Sequence, residues 1–164
     1  MNPSAIDIQS ELSHRHRAAV RTVVGLIIAT ILLSAVAYLS KSYLHQQNNP
    51  PLDMAVRITV LALGLGSIVW RRTKFSAMRL QDIGSLQGGP GLLRTLEKTT
   101  LQLAVLGAAI ALIGFIATLV TGNDLYTYWA AAISLVVLVY SYPTKSSWTR
   151  TLERFAPRPV DNAT

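Results

Sequence analysis

The chain contains no cysteine, which excludes disulfide bonds, thiolate metal sites and a cysteine nucleophile. Charged residues are also scarce, since Asp, Glu, Lys and Arg make up 14% of the 164 residues, against roughly 25% in soluble domains. None of the long apolar stretches contains an acidic residue, so a carboxylate relay for protons across a membrane is not expected. These shortages favour an integral membrane protein over a soluble domain.

Catalytic and nucleotide-binding patterns are missing as well. The sequence has no H-E-x-x-H, G-x-S-x-G, Walker or G-x-G-x-x-G motif. His14 and His16 are two residues apart and do not share a helix face, and His45 lies beyond the first apolar stretch, so no histidine pair faces across a bilayer core to bind haem. We therefore expect a protein that is not an enzyme and has no catalytic residue, metal or cofactor.

Apolar stretches dominate what remains, and hydrophobic residues make up 51% of the chain. The central stretch, 101–120, is uncharged, and about 20 helical residues at about 1.5 Å each cross about 30 Å of hydrocarbon. Three further apolar stretches flank it in sequence. The prediction is an all-α polytopic membrane protein with four transmembrane helices, which lie at 20–39, 54–70, 99–121 and 125–142.

The polar segments divide the chain into two predicted helical hairpins with basic ends. These segments are an N-terminal part at 1–19, a first hairpin at 20–70, a linker at 71–98, a second hairpin at 99–142 and an amphipathic tail at 143–164. Pro50 and Pro51 place 40–53 in a loop, because proline cannot continue a helix. Ala35-Val36-Ala37 also fits the cleavage site of a signal peptide. The basic segment before the first apolar stretch is long for a signal peptide, however, which favours a helix that stays in the mature protein.

The linker predicts a break and an interfacial helix. Gly88-Gly89-Pro90-Gly91 interrupts it, and Pro90 suits the first turn of a new helix. Four apolar side chains would share one side of a helix resting on the membrane surface. They are Phe75, Met78, Ile83 and Leu86.

Basic residues set the expected orientation. Residues 1–21 carry three Lys or Arg, the linker six and the tail four, whereas the other side of the membrane has only Lys41 and Arg57. The positive-inside rule then places both termini in the cytoplasm, in a plasma (inner) membrane. The net charge of +7 would suit nucleic acid in a soluble protein, but here it lies at the ends of apolar helices. We therefore expect anionic lipid headgroups, and no nucleic acid, as partners.

The two hairpins resemble each other in sequence. The pattern T-K-x-S-x-x-R-x-x-[DE] begins at Thr73 and again 71 residues later at Thr144, and a shift of 82 aligns the first helix with the third. Such self-similarity predicts a tandem duplication. The paired pattern is interpreted as an anchor at the headgroups, with Ser76 and Ser147 capping short surface helices, rather than as a binding site.

Three groups of candidate site residues follow from these patterns. Small residues at helical spacing predict helix packing, because close approach replaces the hydrophobic drive that lipid does not supply. They are Gly25, Ala29, Ala62, Gly66, Gly107, Ala111 and Gly114. Basic residues near the predicted inner ends would contact lipid headgroups or a protein partner. They are Arg71, Arg72, Lys74, Arg79, Lys145, Arg150 and Arg154.

Polar residues close to the membrane form the third group. Arg57 is the single charge inside a predicted span, and it is expected to snorkel to the headgroups or to pair with Asp53, although a role in transport stays open. Gln102 is expected to form an interhelical hydrogen bond. The hydroxyls inside the spans are expected to bond to their own helices. They belong to Thr30, Ser34, Thr59, Ser67, Thr118 and Ser134.

Three functional hypotheses remain open. The first is a non-enzymatic accessory or scaffold subunit, or a homo-oligomer, whose basic cytoplasmic face meets anionic lipid or a membrane protein partner. The second is a small carrier or channel subunit built from the duplicated hairpin. The third is a membrane enzyme acting on lipid headgroups through its basic residues, which ranks last because no nucleophile or metal set accompanies them.

Overall fold

A computed structural model describes residues 3–40, 50–74 and 77–155, and these residues form helices and no strand. The five helices are α1 (Pro3–Ser40), α2 (Pro50–Lys74), α3 (Ala77–Thr121), α4 (Leu125–Ser141) and α5 (Lys145–Phe155). The predicted all-α class is confirmed. Several residues named in the predictions from sequence lie outside the described part: Lys41, His45, Phe75, Ser76 and 156–164.

Three helices are long and apolar enough to cross a membrane, and they cover Ser10–Ser40, Pro51–Lys74 and Leu80–Thr121. A fourth crossing is counted if α4 and α5 form one span bent by 47°. On its own α4 has 17 residues, about 25 Å along its axis, slightly less than the roughly 30 Å of a hydrocarbon core. Among the described residues the chain thus has three, or up to four, helices that could cross a membrane, as expected of a membrane protein.

The helices extend beyond the apolar stretches that predicted them. α1 is continuous from Pro3, so the segment before residue 20 prolongs the first span. α2 begins at Pro50, which corrects the predicted loop at 40–53 for its last four residues. Pro50 and Pro51 stand in the first turn, where a missing N–H costs no intrahelical hydrogen bond.

α3 is bent inside the former linker. Gly88 adopts φ 65° and ψ −162°, a backbone conformation that favours glycine, and Pro90 starts the next helical turn. The predicted break at 88–91 is therefore confirmed. In the part of α3 before this break, Met78 and Leu86 are exposed, whereas Ile83 packs against the protein. These three side chains therefore do not share one side of the helix, contrary to the prediction.

The centre of the bundle is the pair formed by α3 and α4. A tight turn at 122–124 joins them, with Gly122 at φ 70°, and α4 packs closely along α3. The Ser134 hydroxyl donates to the Gly107 carbonyl at 2.6 Å, and the hydroxyls of Thr127 and Thr118 are 2.8 Å apart. Thr118 and Ser134 thus connect two helices instead of bonding only to their own, which corrects the prediction for these two hydroxyls.

α1 and α2 each pack on both α3 and α4, but they make little or no contact with each other. Val23 of α1 joins one apolar cluster with Ala104 and Leu138. Val60 of α2 joins a different cluster with residues of α3 and α4, among them Ile110. The two helices predicted as the first hairpin therefore flank the α3–α4 pair separately.

A further core lies at one end of the bundle. This end carries Arg15, Lys74, Arg94, Lys98 and α5, and we call it the basic end; the opposite end, with the turn at 122–124, is the turn end. Apolar residues of α1, α3 and α5 meet there in one buried cluster. The cluster consists of Leu12, Ala19, Leu80, Leu92, Leu93, Leu96, Trp148 and Leu152.

Candidate functional site

A groove of about 1080 Å³ opens at the basic end, on the surface of α3 between α1 and α2. It exists because α1 and α2 do not close over α3. Trp70 and Lys74 line it from α2, and Arg15 lines it from α1. The floor belongs to α3 and includes Gln102, which is exposed and forms no hydrogen bond with another described residue. The interhelical bond expected for Gln102 is therefore not observed within the described part of the chain.

An ion-pair network fixes the α1 side of this groove. The Arg15 guanidinium binds Glu97 of α3 at 2.7 Å and Glu11, one turn earlier on α1, at 2.9 Å. The side chains of Arg15 and Glu97 are 31% and 23% exposed, so the pair is partly shielded from solvent. It ties α1 to α3 next to the groove, and neither Arg15 nor Glu97 is among the site residues predicted from the sequence.

The predicted headgroup residues are distributed unevenly over the basic end. Arg71 stacks its guanidinium 4.1 Å from the centre of the Tyr140 ring and donates a hydrogen bond to the Tyr140 carbonyl, so it links α2 to α4. Lys74 lies 5.7 Å from the ring centre of Trp70 and faces the groove. Arg72 is exposed. Arg79 lies in the first turn of α3, in a position for which the structure describes the backbone alone.

The remaining three predicted headgroup residues are on α5. Lys145, Arg150 and Arg154 are exposed, and Arg154 lies 5.6 Å from the ring centre of Phe155. The opposite, apolar face of α5 is buried in the cluster at the basic end. The tail is therefore an amphipathic helix whose apolar side packs on protein. Ser147 lies inside the first turn of this helix and does not cap it.

His16 holds the corner between α4 and α5. One of its ring nitrogens is 3.0 Å from the Pro143 carbonyl oxygen, and its ring meets the edge of Trp148 with centroids 5.6 Å apart. From the sequence, His16 was weighed only as a haem ligand, and no haem site was predicted. Its role in packing depends on a partner 127 residues away, and no local pattern indicates that contact.

A second pocket, of about 370 Å³, lies between α2 and α4 toward the turn end. Asp53 and Arg57 stand at its polar side, and their ion pair is formed at 2.8 Å, as the four-residue spacing predicted. Tyr126 and Trp129 of α4 are among the apolar residues of its lining. The Arg57 side chain is 68% exposed, so its charge is directed outward.

The small residues divide into two sets. Gly107, Ala111 and Gly114 are buried in the α3–α4 contact, where the side chain of Leu138 lies 3.0 Å from the position of a Cβ on Gly107. The others are exposed: Gly25 and Ala29 on α1, and Ala62 and Gly66 on α2. No atom of another described helix lies within 4 Å of the position of a Cβ on Gly25 or Gly66. We call these two exposed sets the outward faces of α1 and α2.

Within the chain, α1 and α2 use other residues for packing. The buried positions of α1 are Leu12, Ala19, Val23, Thr30 and Ala37. On α2, Gly64 comes closest to a neighbour, since a Cβ there would lie 2.8 Å from the Ile133 side chain. These buried positions of α1 are separated by four or seven residues, a spacing that is visible in the sequence.

No protein-family model matches this chain, and neither a curated protein nor a solved structure matches it.

Proposed function

We propose that this protein is a non-catalytic integral membrane subunit that assembles through the outward faces of α1 and α2, as a homo-oligomer or as an accessory subunit of another membrane protein. In this proposal four helices cross the membrane, both termini are cytoplasmic and the basic end meets anionic lipid. The observation that carries it is the position of the small residues, because Gly25, Ala29, Ala62 and Gly66 are exposed, and no atom of another described helix lies within 4 Å of the position of a Cβ on either glycine.

Small residues on an exposed helix face favour association in a membrane. Lipid tails are as apolar as the helices, so helices associate through close packing, and small side chains allow the backbones to approach. In its most apolar part α3 buries 44% of its residues inside the chain, whereas α1 and α2 bury 17% each. The two flanking helices therefore offer free surface at the positions best suited to a further helix.

The carrier hypothesis has weaker support. Its candidate residue, Arg57, is paired with Asp53 and points outward, which supports an anchor at the headgroups over a solute site in the membrane interior.

Cysteine crosslinking tests the assembly, and the absence of native cysteine makes each introduced thiol unique. We expect Gly25→Cys and Gly66→Cys to form crosslinked dimers in native membranes, or a single heterodimer with a partner, because disulfides need Cα atoms roughly 4.4–6.8 Å apart. Val136→Cys is the matched control, since Val136 is 64% exposed on α4, away from both faces. Equal crosslinking at all three positions, or none at any, would contradict assembly through α1 and α2.

The same cysteine-free background tests the orientation. A membrane-impermeant maleimide should label Asp124→Cys, in the turn between α3 and α4, in intact cells. It should label Thr149→Cys, in α5, only after permeabilisation. In the four-span arrangement, α4 crosses the membrane once between these two positions. Labelling of both positions from the same side would therefore exclude that arrangement.

A further inference from the structure

The groove at the basic end changes character along its length. Along α3 its floor runs from the basic side chains of Arg94 and Lys98, past Gln102, to the apolar side chains of Val105 and Ala109. These residues recur every three to four positions and so share one face of the helix. Arg94, Lys98 and Gln102 are exposed and Val105 is 62% exposed, although α3 is the central helix of the bundle. The groove is thus a continuous strip that is basic at one end and apolar at the other.

The length of this strip matches one leaflet of a bilayer. Lys98 and Ala109 are eleven residues apart, which is about 16 Å along the helix axis. Half of a hydrocarbon core about 30 Å thick is about 15 Å. A molecule with a charged group near Lys98 and a hydrocarbon chain along Val105 would therefore occupy the strip in the orientation that it has in a membrane.

The charge of the groove is positive. Its lining has four basic residues and one acidic residue, Glu97, whose carboxylate is already bound by Arg15. No carboxylate among the described residues forms an ion pair with Lys74, Arg94 or Lys98. Three cations therefore face the basic end of the groove with no acidic partner in the described chain, an arrangement that complements a phosphate group.

We propose that the groove binds one anionic phospholipid, with its phosphate among Lys74, Arg94 and Lys98 and an acyl chain along Val105 and Ala109. Trp70, beside Lys74 in the α2 wall, would lie at the level of the headgroup, where tryptophan is enriched in membrane proteins. The inference deepens the proposed function and rests on its membrane orientation. It does not depend on assembly through the outward faces, because Arg15, Trp70 and Lys74 line the groove nearer the basic end and none of Gly25, Ala29, Ala62 and Gly66 lines it.

Lipid retention by the purified, delipidated full-length protein tests this site. The protein is titrated with phosphatidylglycerol or with phosphatidylcholine and followed by native mass spectrometry. We expect one molecule of phosphatidylglycerol to bind in preference to phosphatidylcholine. The double variant Arg94→Gln/Lys98→Gln should weaken its binding about tenfold, since each cation near a headgroup contributes several-fold. Val105→Trp should weaken it about tenfold without any change in charge, because an indole fills the apolar half of the groove.

Each variant has a matched control. Arg17→Gln/Arg21→Gln removes two exposed charges, also four residues apart, from α1 outside the groove, and Val136→Trp places an indole on an equally exposed position of α4. Both controls should bind phosphatidylglycerol as the wild type does. Circular dichroism should confirm an unchanged helix content in all four variants.

Three outcomes would overturn the proposal. If Arg94→Gln/Lys98→Gln and its control Arg17→Gln/Arg21→Gln lost phosphatidylglycerol binding equally, the attraction would be a diffuse electrostatic one. If Val105→Trp bound phosphatidylglycerol as well as the wild type does, no acyl chain would lie in the groove. Equal binding of phosphatidylcholine and phosphatidylglycerol would mean that the cations of the groove do not select an anionic headgroup. Crosslinking of Gly25→Cys repeated in the Arg94→Gln/Lys98→Gln background separates the two proposals, because assembly should persist when the lipid site is lost.

Discussion

Replacing Trp148 by alanine should release α5 from the basic end of the bundle, at a cost of about 3–5 kcal/mol. Trp148 is 3% exposed and lies inside the cluster that joins α1, α3 and α5. Its ring also meets His16 edge to face, a geometry that adds to the energy of burial. A loss of about 3 kcal/mol raises the population of the released helix more than a hundredfold.

Trypsin measures this release directly, because Lys145, Arg150 and Arg154 are cleavage sites within α5. Cleavage of a briefly opened segment follows the population of the open form, so we expect the rate in Trp148→Ala to rise more than about a hundredfold. Thr149→Ala, beside it on the helix, should leave the rate unchanged. An unchanged rate in Trp148→Ala would show that the buried indole does not hold α5, and would favour a tail held by the membrane.

The elements of this fold follow from local patterns that the sequence displays. Uncharged runs as long as a bilayer is thick become helices, glycine and proline at 88–91 place the bend in α3, and the tight turn at 122–124 falls between two such runs. The Asp53–Arg57 pair is of the same kind, because a four-residue spacing on one helix sets both side chains close together. Each of these features depends on neighbours in sequence.

Helix contacts were harder to predict, because a membrane helix is apolar on the side that meets lipid as well as on the side that meets another helix. Small residues at four-residue spacing occur on α1, α2 and α3, but only the set on α3 packs within the chain. Gly25 and Gly107 correspond under the predicted repeat, and one is exposed while the other is buried. A shared sequence pattern does not determine which partner covers it.

The candidate site was found only in part for a related reason. Gln102 and Lys74 were singled out, but the groove also needs Trp70, Arg94 and Val105, and it exists because α1 and α2 stay apart. The apolar face of α5 shows the same ambiguity. By its composition, an amphipathic helix with basic residues fits a membrane surface and a protein surface equally well. In the structure the apolar face of α5 packs against α1 and α3.

Replacing Gly114 by alanine should force α3 and α4 apart and destabilise the bundle by about 1–3 kcal/mol. An added Cβ would overlap the Ala130 methyl group and lie 2.8 Å from the Tyr126 carbonyl oxygen. Both groups are on or next to the α4 backbone, so no side-chain rotation relieves the overlap. Separation would also weaken the hydrogen bond from Ser134 to Gly107 and the Thr118–Thr127 hydroxyl pair.

Three glycine variants make this prediction quantitative when unfolding of the detergent-solubilised protein is followed in sodium dodecyl sulfate. Gly107→Ala should cost less than Gly114→Ala, since its nearest contact is the rotatable Leu138 side chain at 3.0 Å. Gly25→Ala should change the unfolding free energy by about 0.5 kcal/mol or less, because no atom of another described helix lies within 4 Å of the added Cβ. Any other order would mean that backbone contact between α3 and α4 does not set the stability. A large effect at Gly25 in dilute detergent would instead indicate that its outward face is already covered by another chain.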